Sequence, residues 1–171
     1  IEPAVFGDSR GYFVESFNQK EFEKHFGQIT FVQDNESKST RGVLRGLHFQ
    51  KPPFNQSKLV RCIEGSVMDV AVDIRKGSPT FGKHISVELS GKNKRQLFIP
   101  RGFAHGFCVL SESAVFAYKV DNAYAPEYDS GIKYDDIDLN INWGLTEEEV
   151  LLSGKDKNLA FFKDFDSPFK F

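Results

Sequence analysis

Cysteine, methionine and tryptophan are scarce in this chain of 171 residues, at two, one and one. Cys62 and Cys108 lie far apart, each in an apolar run, which predicts buried free thiols in a reducing compartment and excludes a disulfide scaffold. A charge excess is missing as well. With 22 Lys and Arg against 24 Asp and Glu, the formal charge is −2, so nothing draws the whole molecule toward nucleic acid or an anionic membrane. An anionic ligand must then be met by a local cluster. No apolar run approaches the roughly 20 residues that span a bilayer, and no charged-then-apolar leader follows Ile1. These absences predict a cytoplasmic protein without nucleic-acid or membrane partners. Repeats, low-complexity tracts and linkers are absent too, so residues 1–171 read as one domain with a sizeable core.

What is present is β-rich. Residues 30–35, 42–50, 58–75, 84–89, 95–100, 106–110 and 114–120 are dense in β-branched and aromatic types, and turn material such as PPFN, EG, KGSPTFG, SGKN and PRG separates them. Short, regular spacing of strands predicts an all-β sandwich or barrel rather than βαβ units. In SVMDVAVDIR, Met68, Val70, Val72 and Ile74 share a core face, while Asp69, Ala71 and Asp73 face a polar cavity or solvent. Residues 18–26 form the best helix, with Asn18 and Glu21 at capping-box spacing and Phe22 and Phe26 on one side. A second short helix is expected from Thr146.

Of the four histidines, His25 beside Lys24 and His84 after Lys83 read as surface residues. His48 and His105 sit in runs of Gly, Phe and Leu, where an imidazole without a partner is costly. A satisfied core histidine is the plain reading of either one. The neighbours of His48 favour another: Arg45, Lys58 and Arg61 lie on the same strand and the next, and a core does not gather cations without an anion to meet them. Either this is a solvated charged face, or it is a cavity for a phosphorylated or otherwise anionic ligand. Strict alternation puts Arg45 and His48 on opposite faces of their strand. Both line one cavity only if the register slips between them, and Gly46 is the natural place for a bulge.

PRGFAHGF, residues 100–107, contains a Pro-x-Gly-x-x-His turn that resembles the second motif of cupins, small jelly-roll barrels that often bind metal through several histidines. The companion His-x-His cluster is missing: GLHFQ has one His, with Arg45 and Lys58 nearby, and cations oppose a divalent metal there. No metal is expected.

Taken together, the chain resembles the dTDP-4-dehydrorhamnose 3,5-epimerase family. The resemblance rests on FGDSRGYFVESF, VQDNESKSTRGVLRGLHFQ, KLVRCIEGSVMDVAVDIRKGSPTFGK, KRQLFIPRGFAHGFCVLS, YKVDNAYAPEYDSGI and LSGKD, in that order. It implies an all-β, cupin-like jelly roll with a few short peripheral helices, a homodimer, and cofactor-free epimerisation of a 4-keto-6-deoxy sugar on a nucleotide diphosphate. His48 is then the base, Asp156 its orienting carboxylate, Tyr118 the acid on the far face, and Lys58 the cation at the enolate oxygen. Arg10, Arg45 and Lys58 are expected to contact sugar or diphosphate, Gln33 and Asn35 to make polar contacts to the ligand, and His105 to contact the sugar or the cavity floor. Phe13 and Tyr124 are expected to pack against the base, with Arg10 or Phe13 drawn from a partner subunit. Without the resemblance, Tyr118 reads as a core tyrosine and Asp156 as an exposed turn residue. Ala123 departs from the family pattern, where a second tyrosine usually precedes Tyr124, so the nucleotide preference stays open. Also open are a mono-epimerase, a 3,4-ketoisomerase, a metal-dependent cupin enzyme and a non-catalytic sugar-nucleotide binder.

Overall fold

Turn glycines and prolines cut the β-rich stretches into eleven strands in the computed structural model, which describes residues 1–171. In chain order these are β1 (Val5–Asp8), β2 (Gly11–Val14), β3 (Gln33–Thr40), β4 (Leu44–Gln50), β5 (Lys58–Glu64), β6 (Ser66–Asp73), β7 (His84–Ser90), β8 (Gln96–Ile99), β9 (Phe103–Val109), β10 (Ser113–Val120) and β11 (Asp129–Gly131). β1 and β2 form a separate hairpin; the rest make two antiparallel sheets, β3-β10-β5-β8 and β11-β4-β9-β6-β7. From β3 to β11 every connection except β6 to β7 passes from one sheet to the other. This alternation is the cupin-like jelly roll that the family resemblance implies, within the all-β sandwich or barrel that the strand spacing predicts, and it faces residues of successive strands across one interior.

That interior is closed at one end by Val60, Cys62, Val67, Leu89, Val109 and Phe116, all at most 2% exposed. The outer face of the five-stranded sheet is also covered: Leu44, Leu47, Val70 and Val72 pack against Ile132, Leu139, Trp143 and Phe169 of the C-terminal segment. Both faces of β6 are therefore buried, and the alternative that its Asp69 side meets solvent does not hold. On the other sheet, helix α1 (Gln19–Phe26) begins where the Asn18 side chain accepts from the Glu21 amide at 3.2 Å. Glu21 itself pairs with Lys24, so half of the capping box forms. The helix is held by edge-to-face rings, Phe22 meeting Phe31 and Phe98. The segment from Thr146 makes a single 3-10 turn, Glu147–Glu149, with both halves of its box in place.

Strand boundaries depart from the sequence reading in one informative place. β3 begins at Gln33 and runs through the polar NESKST, which carries no hydrophobic alternation. It is an edge strand paired only with β10, so the backbone ladder, rather than side-chain burial, holds it.

Candidate active site

The extra residue foreseen at Gly46 is there. Arg45 is opposite Phe107 and His48 opposite His105, so three steps along β4 match two along β9. Gly46 has φ +135°, and a Cβ on it would lie 2.5 Å from Gly106 Cα, so no other residue fits without displacing backbone. The bulge turns Arg45 and His48 to the same side. Both line a cavity of about 800 Å³ between the sheets, together with Asn35, Lys58, His105, Tyr118 and Asp156.

Asp156 reaches His48 across 108 residues because the chain before it is pinned to the start of β4. Leu44 donates to the Leu151 carbonyl at 3.0 Å, and Leu151 to that of Gly42 at 2.8 Å. Gly42 leaves room for this approach, since a Cβ there would sit 2.1 Å from Glu149 O. Ser153 then caps the short helix α2 (Gly154–Lys157), and Asp156 in its first turn points inward, 3% exposed. His48 Nε2 stands 2.5 Å from Asp156 Oδ1, and Ser153 Oγ donates to Oδ2 at 2.7 Å. Burial pushes the Asp156 pKa up, but the bonds from His48 and Ser153 prevail and leave it below the ordinary carboxylate range. The sequence by itself favoured an exposed turn aspartate here; the structure buries it against the imidazole.

Lys58 and Tyr118 come from the opposite wall, on β5 and β10. Lys58 makes no ion pair; burial lowers its pKa to about 8 despite the attraction of Asp129 and Asp69. Tyr118, opposite Asn35 in the ladder, has its pKa raised by burial, partly offset by Arg45, and its hydroxyl has no partner in the chain. Arg45 donates to Ser39 Oγ at 3.1 Å and stays exposed toward the cavity mouth. An imidazole backed by a carboxylate thus faces a phenol and an ammonium across a polar gap. That set can remove a proton, return one from the other side and stabilise negative charge between.

His105 is buried at the cavity floor, with Nε2 3.0 and 3.1 Å from the two oxygens of Asp69, itself fully buried. Asp69 and Ser153 are the contributions that sequence reading left unassigned. Asp69 was visible as the acidic residue on the inner face of β6, and Ser153 as the Ser-x-x-Asp spacing that caps α2.

Other expected residues lie elsewhere. Arg61 projects from the opposite face of its sheet, beside Leu59 and Ile63, and leaves the cation cluster; alternation along β5 separates it from Lys58. Gln33 donates to Asn35 Oδ1 at 2.7 Å but does not line the cavity. Tyr124 is 55% exposed at the rim, its hydroxyl donating to Asp129 Oδ2 at 3.2 Å, and Lys155 pairs with the same carboxylate. Within one chain Arg10 and Phe13 are not brought to the cavity: they sit on the β1–β2 hairpin, Arg10 paired with Asp8 and Phe13 66% exposed. No three His, Cys, Asp or Glu side chains are arranged to hold a metal ion.

Comparison with known proteins agrees with this architecture. The family model described as dTDP-4-dehydrorhamnose 3,5-epimerase matches residues 1–164. A dTDP-4-dehydrorhamnose 3,5-epimerase of Shigella flexneri is 60% identical over 167 residues, covering 97% of this chain and 91% of its own. A solved dTDP-6-deoxy-D-glucose-3,5-epimerase of Legionella pneumophila, in complex with dTDP-4-keto-L-rhamnose, superposes with a TM-score of 0.92 at 53% identity, covering 96% of this chain and 87% of its own. A 3'-monoepimerase of Streptomyces bikiniensis in complex with dTDP-quinovose gives a TM-score of 0.88 at 33% identity, covering 94% and 81%.

Proposed function

The chain belongs to the dTDP-4-dehydrorhamnose 3,5-epimerase family, and from that premise we propose that it inverts carbons 3 and 5 of a dTDP-4-keto-6-deoxyhexose, dTDP-4-dehydro-6-deoxy-D-glucose giving dTDP-4-dehydro-L-rhamnose. The observation that carries this reading is the 2.5 Å His48–Asp156 pair on one wall of the cavity, with the unpaired Tyr118 hydroxyl on the other.

The ketone at carbon 4 acidifies the hydrogens on carbons 3 and 5, because the carbanion delocalises onto oxygen as an enolate. Inversion requires removal from one face of the ring and return to the other. β4 and β10 belong to different sheets, so a sugar lying between them meets His48 on one face and Tyr118 on the other. His48 takes the proton on Nδ1, since Nε2 is turned to Asp156, whose charge holds the imidazolium as it forms. Lys58 stabilises the enolate oxygen with an ammonium that loses little solvation on meeting it, its desolvation having been incurred on folding. Tyr118 supplies the proton on the far face. Arg45 and Asn35 at the mouth meet the diphosphate and sugar, and Tyr124 at the rim offers a ring for the base.

The exposed hairpin, with Phe6, Tyr12 and Phe13 all more than half exposed, supports a homodimer in which Arg10 and Phe13 complete the partner's site. Two free, buried cysteines fit work in the cytoplasm. The test is deuterium uptake from solvent by dTDP-4-keto-6-deoxyglucose, followed by NMR. Uptake at carbons 3 and 5, lost in His48→Asn and reduced in Tyr118→Phe, is the expected result. Uptake at one carbon alone would make this a mono-epimerase like the Streptomyces relative, and no uptake would overturn the reading.

A further inference from the structure

The cavity contains a second histidine–carboxylate pair whose purpose the proton transfers above leave unexplained. His48 and His105 are direct cross-strand neighbours on β4 and β9, and Asp69 lies diagonally beyond, on β6. The three side chains therefore run in a row along the inner face of one sheet. Asp69 is 0% exposed, and its only side-chain partner is His105 Nε2, bonded to both of its oxygens.

A carboxylate only accepts, so Nε2 must carry a hydrogen. The other ring nitrogen, Nδ1, has no partner within the chain and is not sealed from solvent, although the residue is 93% buried at 7% exposure. Because His105 lines the cavity, that nitrogen opens into it. What Nδ1 does depends on charge. Burial, helped by the nearby Lys58 and His48, favours the neutral ring, and Asp69 opposes this without prevailing. In the neutral ring with hydrogen on Nε2, Nδ1 is a lone pair and can only accept. A ketone oxygen offers it no hydrogen, whereas a sugar hydroxyl does.

We propose that Asp69 is a positioning residue that locks His105 in the Nε2–H form, so that Nδ1 accepts a hydrogen bond from a hydroxyl of the sugar and the ketone oxygen is left to Lys58. The identity of the ligand as a sugar rests on the epimerase reading; the tautomer does not.

Imidazole resonances of the 15N-labelled protein test the lock directly, with His105 assigned from a His105→Gln spectrum. In the wild type, Nδ1 of His105 is expected at the shift of a lone-pair nitrogen at neutral pH. In Asp69→Asn, whose amide can donate as well as accept, the tautomers should mix, and kcat/KM should fall by about 10- to 100-fold. Asp69→Asn in a His105→Gln background should cost nothing further, since the carboxylate acts through that ring. A hydrogen on Nδ1 in the wild type overturns the proposal even if the Asp69 variant does not fold. So does an unchanged tautomer in Asp69→Asn, or independent losses in the double variant. An Nε2–H ring in a protein that exchanges no sugar proton would sink the epimerase reading while the lock stood.

Discussion

Replacing Asp156 by Asn tests the proposed base, His48, at its support while preserving shape. The side chain is 3% exposed and bonded on both oxygens, so an amide fits the same space. What is lost is the charge facing the imidazolium in the transition state. Opposite charges about 4 Å apart at an effective dielectric of ~20 attract by about 4 kcal/mol. Since the His48 side chain is 27% exposed, screening reduces this to roughly 2–3 kcal/mol. At 1.36 kcal/mol per decade, kcat should fall about 30- to 150-fold, and more if the amide donates to Nε2 and turns the lone pair away from the cavity. The assay is the initial rate of deuterium entry at saturating substrate, with thermal melting as control. A kcat within threefold of wild type would refute the base-and-orienter arrangement. Stability should respond at the acid end. A carboxyl held below its ordinary value stabilises the fold fully above the unfolded value of about 3.9, and loses that contribution as pH falls through the folded one. This acid limb should shrink in the Asn variant.

Lys58→Met should pull activity and stability apart: turnover falls by at least 10²-fold, while the melting temperature rises because a desolvated ammonium is gone. The same group sets a pH signature. With a folded pKa of about 8 against 10.5 unfolded, the unfolded chain binds more protons between these values, so this residue makes the wild type more stable as pH climbs from 8 to 10.5. Activity over the same range should decline as the ammonium deprotonates, and a flat rate profile through pH 8 would remove Lys58 from the enolate. Gly46→Ala, forced into a φ of +135° with its Cβ against Gly106, should cost roughly 1–3 kcal/mol in backbone strain alone, read by chemical denaturation, and should misalign Arg45 with His48. Tyr124→Ala should raise KM for the dTDP sugar about 5- to 150-fold, the loss of one base stack, with kcat little changed; an unaltered KM would separate this ring from the nucleotide.

Local chemistry in the chain is enough to determine most of the strands, the cap at Asn18, the free cysteines and the bulge at Gly46, because each depends on propensity, period or one residue's conformational freedom. The suspicion attached to His48 was also local: cations cluster beside it at strand spacing. Pairings between distant segments are of another kind. Asp156 in GKDKN is a plain turn aspartate until the Leu151 bridge to Val43 brings α2 against β4. Arg61 and Lys58 look equivalent in sequence until the sheet turns one out and one in. Asp69 acquires its meaning only when β6 is laid beside β9. Even β3 is a strand because β10 is next to it rather than because of its own residues. Periodicity fixes which side of a strand a residue takes, whereas the partner waiting on that side is set by tertiary pairing: strand order lays Asp69 beside His105, the Leu151 bridge brings Asp156 to His48, and the stacking of the two sheets sets Tyr118 and Lys58 across from them.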